Sequence, residues 1–145
     1  MVFERRNQEH HKFVPVLNWV TNGRGRMIYG GTKYNAELGK MIRILGIVVE
    51  LARKGRTIRL PNRTVDPIAA DLRKRFPDPN FDDEHIVALV MASRCCVVCT
   101  NDHCAMAYLR RADVIPSRPK IFSGHRSHRR LCCDKHIVGV CLDQV

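Results

Sequence analysis

Between residues 13 and 20 the apolar side chains Phe13, Val16, Leu17 and Val20 recur at i, i+3, i+4 and i+7, the spacing of one helical face, and Asn22-Gly23 then ends the periodic stretch. Met27, Ile28 and Tyr29 predict a strand over 26–30, closed by Gly30-Gly31, with Thr32 placed to cap a helix. Leu38, Met41, Leu45, Val48 and Val49 mark the buried side of that helix, read as one long element that Lys54 and Gly55 bring to an end. A second strand is predicted over 57–60. Asp66-Pro67 reads as the cap and first turn of a helix running through Ile68 and Leu72 to Phe76, and 77–80 as a loop. Ile86, Val87 and Val90 predict a helix beginning immediately after Asp83, and the apolar run over 95–100 a buried strand. A last helix is expected over 103–111. From Arg118 onward the chain reads as basic and irregular, with a short apolar piece at 137–140.

Strands without polar alternation, separated by helices, predict a parallel sheet covered on both faces, and such sheets bind ligands outside the carboxyl ends of their strands. Asp102 stands just past the 95–100 strand, Asp83 at the start of the helix feeding it, and Glu37 one turn into the helix after the 26–30 strand. Three acids from distant parts of the sequence are therefore expected at one edge of the sheet. Gathered carboxylates repel each other, and a hard cation such as Mg²⁺ or Mn²⁺ is the usual remedy. Each acid also has a plain structural reading, Asp83 (or Asp82) and Asp102 as helix caps and Glu37 as a solvated surface acid.

Charge sharpens this reading. The 145 residues hold 25 Lys and Arg against 14 acids, a net +11, which favours a polyanionic partner over a small neutral one. Acids that bind a metal, within a cationic chain, point to metal-assisted hydrolysis of a phosphodiester. No stretch reads as a signal peptide or a membrane span, so a cytoplasmic location is expected. The seven cysteines, an odd count clustered in the last third, read as reduced thiols rather than a disulfide framework.

The segments GGTKYNAEL (30–38), DDEHIVALVMAS (82–93), VVCTNDHCAM (97–106) and RPKIF…HRSHRRL (118–131) together resemble the PIN-domain family of metal-dependent nucleases. The resemblance implies a three-layer α/β/α sandwich with a central parallel sheet, spanning 1–117, with 118–145 as a basic C-terminal extension packed on or continuous with it. It implies RNA cleavage at a Mg²⁺ or Mn²⁺ site, with Glu37, Asp83 and Asp102 as the family's second, third and fourth acids. Thr100, and Thr32 at the head of the first motif, would support that site, and Asp82 would be capping or peripheral. The family's first strand, ending in its first acid, is missing ahead of Met1-Val2-Phe3-Glu4-Arg5. Glu4 would sit beyond the position of that acid, so the coding region is expected to continue upstream in the same frame. Small members of the family resemble toxins, which implies an antitoxin or other protein regulator, and a homodimer is a further expectation.

Arg118, Lys120, Arg126, Arg129, Arg130 and Lys135 read either as a solvated surface or as RNA-phosphate contacts, with Arg129 and Arg130 the first candidates. Trp19 reads as core. Two other functions stand beside the nuclease. One is a nonenzymatic RNA binder, degenerate through loss of the first acid. The other is a zinc-stabilised regulatory module built on His125, His128, Cys132, Cys133 and His136. Cys96 and Cys99, together with Cys104, offer less to zinc, because side chains three apart on a strand point to opposite faces; buried thiols suit that strand better.

Overall fold

A computed structural model of the chain describes residues 10–137; Glu4 and the apolar piece at 138–140 lie outside the described residues. The fold is mixed α/β. Helix α1 (His10–Thr21) precedes strand β1 (Met27–Gly30), and helices α2 (Thr32–Gly39) and α3 (Ile42–Arg53) lead to β2 (Thr57–Leu60). Helices α4 (Asn62–Arg75) and α5 (Glu84–Ser93) lead to β3 (Val97–Cys99), and α6 (His103–Leu109) to β4 (Lys120–Phe122). Two 3₁₀ turns follow, η1 (Arg126–Leu131) and η2 (Asp134–His136).

The strands form two parallel pairs, β1 with β2 and β3 with β4. In the second pair Val97 stands opposite Lys120 and Cys99 opposite Phe122. Alternation along these strands sorts the core. Val98 and Ile121 pack with Ala105 and Leu109 of α6, whereas Phe122, Val97 and Cys99 pack with Phe13 and Val16 of α1 and with Leu131 and Cys132. Helix α1 and helix α6 therefore cover opposite faces of the β3–β4 pair. The largest cluster joins α4 to α5 through Val65, Leu72, Phe81 and Val87, each 1% exposed or less. Phe81 stacks on Tyr108 at 3.8 Å between ring centroids, which adds a contact between that cluster and α6.

Three expectations are corrected. The helix after β1 is broken at Gly39–Met41, where Met41 takes an extended conformation (φ −111°, ψ 81°). The break resets the helical register, so α3 buries Ile44, Val48 and Leu51, while Leu45 and Val49 are 38% and 43% exposed. Asp66 and Pro67 do not start a helix; they lie inside α4, which begins a turn earlier at Asn62. The region after Arg118 is not wholly irregular, because Lys120-Ile121-Phe122 pairs with β3 as β4.

The junction between β1 and α2 shows why Asp66 sits where it does. Gly30 and Gly31 adopt φ of 148° and 86°, and a Cβ on Gly31 would stand 2.8 Å from Val65 Cγ1, so the sharp entry into α2 needs glycine. Thr32 then opens α2 without capping it. Its N–H and hydroxyl both donate to the Asp66 carboxylate, the first at 2.8 Å, so a side chain from α4 satisfies the start of α2. Asp66→Ala is expected to lower stability by about 1 kcal/mol, the usual effect of losing an N-terminal cap. Chemical denaturation measures it, with the exposed Asp71→Ala on the same helix as the near-neutral comparison.

Candidate acidic site at the carboxyl ends of the strands

Glu37, Asp83 and Asp102 reach the same end of the molecule by different local devices. Asp102 follows β3 and caps α6: its Oδ1 accepts from the Cys104 and Ala105 amides at 2.9 and 3.3 Å. Its own N–H donates to Thr100 Oγ1 at 3.1 Å, and the Thr100 N–H donates to the Phe122 carbonyl at 3.1 Å. Thr100 thus fixes the turn that aims Asp102, while Thr32 is engaged with Asp66 on α4.

Asp83 occupies the same cap position on α5 but uses its backbone differently. Its carbonyl accepts from the Ile86 and Val87 amides at 3.0 and 3.2 Å, and its carboxylate makes no capping hydrogen bond among the described residues. Burial pushes that carboxyl above its ordinary range; Asp102, Asp82 and Glu37 push it further, and His85 opposes them. The acids are therefore close enough to repel one another through Asp83. Asp82 is exposed, and its main-chain carbonyl receives Lys33 Nζ.

Two residues that the sequence reading left without a role shape the site. His85, 3% exposed, places Nε2 2.9 Å from Glu37 Oε2, and its Nδ1 is buried without a hydrogen-bond partner among the described residues. With carboxylate as acceptor, Nε2 carries the proton. Glu84, 7% exposed, pairs with Lys33 Nζ at 3.2 Å and lies 3.8 Å from an Arg73 guanidinium nitrogen. Lys33 thereby ties α2 to α5 beside the acids. The run Asp83-Glu84-His85 was the available signal; burial of its last two members was not legible without the packing of α5.

Beneath the acids lies a cavity of about 350 Å³, lined along its length by apolar residues of β1 and β3, with Asp83, Thr100 and Asp102 at one end. Tyr34 lines it too, and burial, with a smaller contribution from Glu37, pushes its phenol up to about 12.

The basic candidates are spread out. Lys120 starts β4 opposite Val97, at the other end of β3 from Asp102, and Arg118 lies two residues before it with φ 45°. Arg126, Arg129 and Arg130 are exposed on η1, and Lys135 is exposed on η2.

Among the described residues no three His, Cys, Asp or Glu side chains are arranged to hold a metal ion. In the tail, His128 Nδ1 accepts from the Ser123 N–H at 3.1 Å, and His136 Nδ1 lies 2.8 Å from the Leu131 carbonyl oxygen. Cys95 and Cys99 are free thiols that burial holds in the neutral form. No helix among the described residues is long and apolar enough to cross a membrane. No protein-family model, curated protein or solved structure matches the chain.

Because Asp83 holds its proton more tightly folded than unfolded, it favours folding most below the ordinary value of 3.8 and less as pH rises past it. Asp83→Asn, which keeps the backbone cap and removes the charge, is expected to raise the melting temperature at pH 7. That advantage should disappear below pH 3.8. Thermal unfolding of both proteins across this range checks it; an offset independent of pH would show that carboxylate crowding is not felt at Asp83.

Proposed function

We propose that the chain is a PIN-like, metal-dependent endoribonuclease with Glu37, Asp83 and Asp102 as its acidic residues. One observation carries the reading. Asp83 stands at a helix start without using its carboxylate there, is raised by burial and by three other acids, and faces a cavity end that it shares with Asp102. A carboxylate kept off the helix and crowded by others suits a hard cation with oxygen ligands, so the donor set fits Mg²⁺ or Mn²⁺. Such an ion would activate water and offset charge on the phosphodiester.

The chain's own residues prepare this arrangement. Thr100 orients Asp102 through the turn after β3, His85 holds Glu37 from its buried side, and Lys33 clamps the backbone at Asp82. The finer architecture, an α/β/α sandwich with one central parallel sheet over 1–117 and a basic extension over 118–145, belongs to this proposal. So do the cytoplasmic location and RNA as partner. A regulator of antitoxin type and a homodimer are further elements of it. The second reading, a nonenzymatic RNA binder, is favoured by the lack of a three-ligand metal group among the described residues.

Asp102→Asn separates the two, since asparagine caps a helix as well as aspartate does. The nuclease reading expects Mn²⁺ to raise the melting temperature of the wild type and not of the variant, because only the folded state binds the ion. Metal-dependent RNA cleavage should fall by about 100-fold or more, as even outer-shell groups around a metal are worth about 10–100-fold. Equal Mn²⁺ shifts would remove Asp102 from the metal site.

RNA contact by η1 has its own signature. Changing both Arg129 and Arg130 to Ala should weaken binding and flatten the plot of log affinity against log salt by about 1.4, from two lost single-strand phosphate contacts. An unchanged slope would leave η1 a solvated surface.

A further inference from the structure

We infer that the cavity between β1 and β3 is the seat of a fifth, central strand, and that residues 138–143 of this chain fill it. The cavity's position along the strands is the first argument. Val97, Val98 and Cys99 all line it, and so do Met27 and Ile28. Consecutive strand residues point to opposite faces, so a cavity that touches three in a row lies off the strand's edge. The outer edge of β1 is taken by β2 and that of β3 by β4, so the two unpaired edges border the same space. Helices α3 and α5 contribute Val48 and Leu89 to its walls. A gap with a ladder edge on each side and apolar helices around it fits an extended apolar segment with backbone groups to pair.

The second argument is where the chain leads. Asp134 in η2 bonds Arg24 at 3.1 Å, three residues before β1 begins. The chain therefore arrives beside the starting end of β1, and a strand entering there runs parallel to β1 and β3. Handedness agrees. The β3–α6–β4 connection steps outward over the α6 face, whereas Leu131 and Cys132 of the return path pack on the α1 face. Reversing both the direction and the face preserves the hand of the crossover, as parallel connections require.

The third argument is composition. Residues 138–143 read Val-Gly-Val-Cys-Leu-Asp, five residues without charge and then an acid, as a strand buried on both faces demands. Residues 1–9 carry Glu4, Arg5, Arg6 and Glu9, charges that such a position would bury. Six extended residues span about 20 Å, enough to pass β1 and bring Asp143 out at the carboxyl ends of the strands. This last step rests on the proposed function: Asp143 would join Asp83 and Asp102 as a further metal ligand.

Amide hydrogen exchange of the full chain, read residue by residue at two protein concentrations, tests the placement. Residues 138–142 should exchange about 100-fold or more slower than an unstructured chain, equally at both concentrations, and Val140→Pro should abolish the protection. Exchange at unstructured rates overturns the proposal, whatever else fills the cavity. Protection that appears only at the higher concentration also overturns it, by assigning the strand to a second copy. Asp143→Asn addresses the acid separately. It should keep the protection and lose the Mn²⁺-induced rise in melting temperature. If protection persists but the Mn²⁺ shift is unchanged, Asp143 is no ligand while the strand stands. If the wild type shows no Mn²⁺ shift, the metal reading fails and the exchange result still decides the strand.

Discussion

A strand sandwiched between helices can satisfy its backbone only sideways, through strands on its two edges, because the helices on its faces have no backbone groups to offer. β1 and β3 each meet this demand on one edge, with β2 and with β4. Their other edges border the same apolar cavity, and that shared deficit organises the molecule. It sets the separation of the two strand pairs, and it leaves Tyr34 and the apolar side of α3 facing a space rather than a neighbour. It also places Asp83 and Asp102 at the end of that space, where the acids meet with little between them.

Electrostatics at that end divides labour among residues that look alike in the sequence. Asp83 and Asp102 both precede helices, yet Asp102 gives Oδ1 to two amides and Asp83 gives none of its carboxylate to α5. The difference follows from the preceding backbone. After β3, Thr100 locks a turn that holds Asp102 extended (φ −82°, ψ 113°), the geometry from which a side chain reaches the second and third amides of a helix. Asp83 has φ −99° and ψ 24°, too close to helical for that reach. Its charge is therefore left to the other acids. Neighbouring positions carry the compensation: Glu84 turns inward to Lys33 and Arg73, and His85 supports Glu37.

Much of this was legible in the sequence where periodicity was strong. Both ends of the 84–93 helix, the strand near 97–99 and the cap at Asp102 followed from apolar runs bounded by polar residues. The failures have physical causes. β4 is three residues long between Pro119 and Ser123, too short to show alternation. Asp66-Pro67 has the chemistry of a helix start, but its acid serves the start of another helix, a contact between positions 34 residues apart. The break near Gly39 was hidden because apolar residues flank it on both sides, and only tertiary packing decides which of two adjacent stripes is buried. For the site, the convergence of the acids could be argued from topology; the burial of His85 and Glu84 could not.

The distribution of charge bears on how such a site meets a polyanion. The chain carries a net +11, yet the acids crowd one end of the strands, and of the cations there Lys33 is engaged by Asp82 and Glu84, with Arg73 beside Glu84. Fields from other basic residues decay over about 8–10 Å at physiological salt, so distant arginines cannot cancel the acids at the cavity end. Attraction of a nucleic acid then depends on contacts over the surrounding surface, such as exposed η1, holding the strand while one phosphate approaches the carboxylates. In that arrangement affinity and chemistry reside in different residues: loss of η1 arginines weakens capture at every sequence, whereas loss of an acid relieves repulsion and leaves capture intact or stronger.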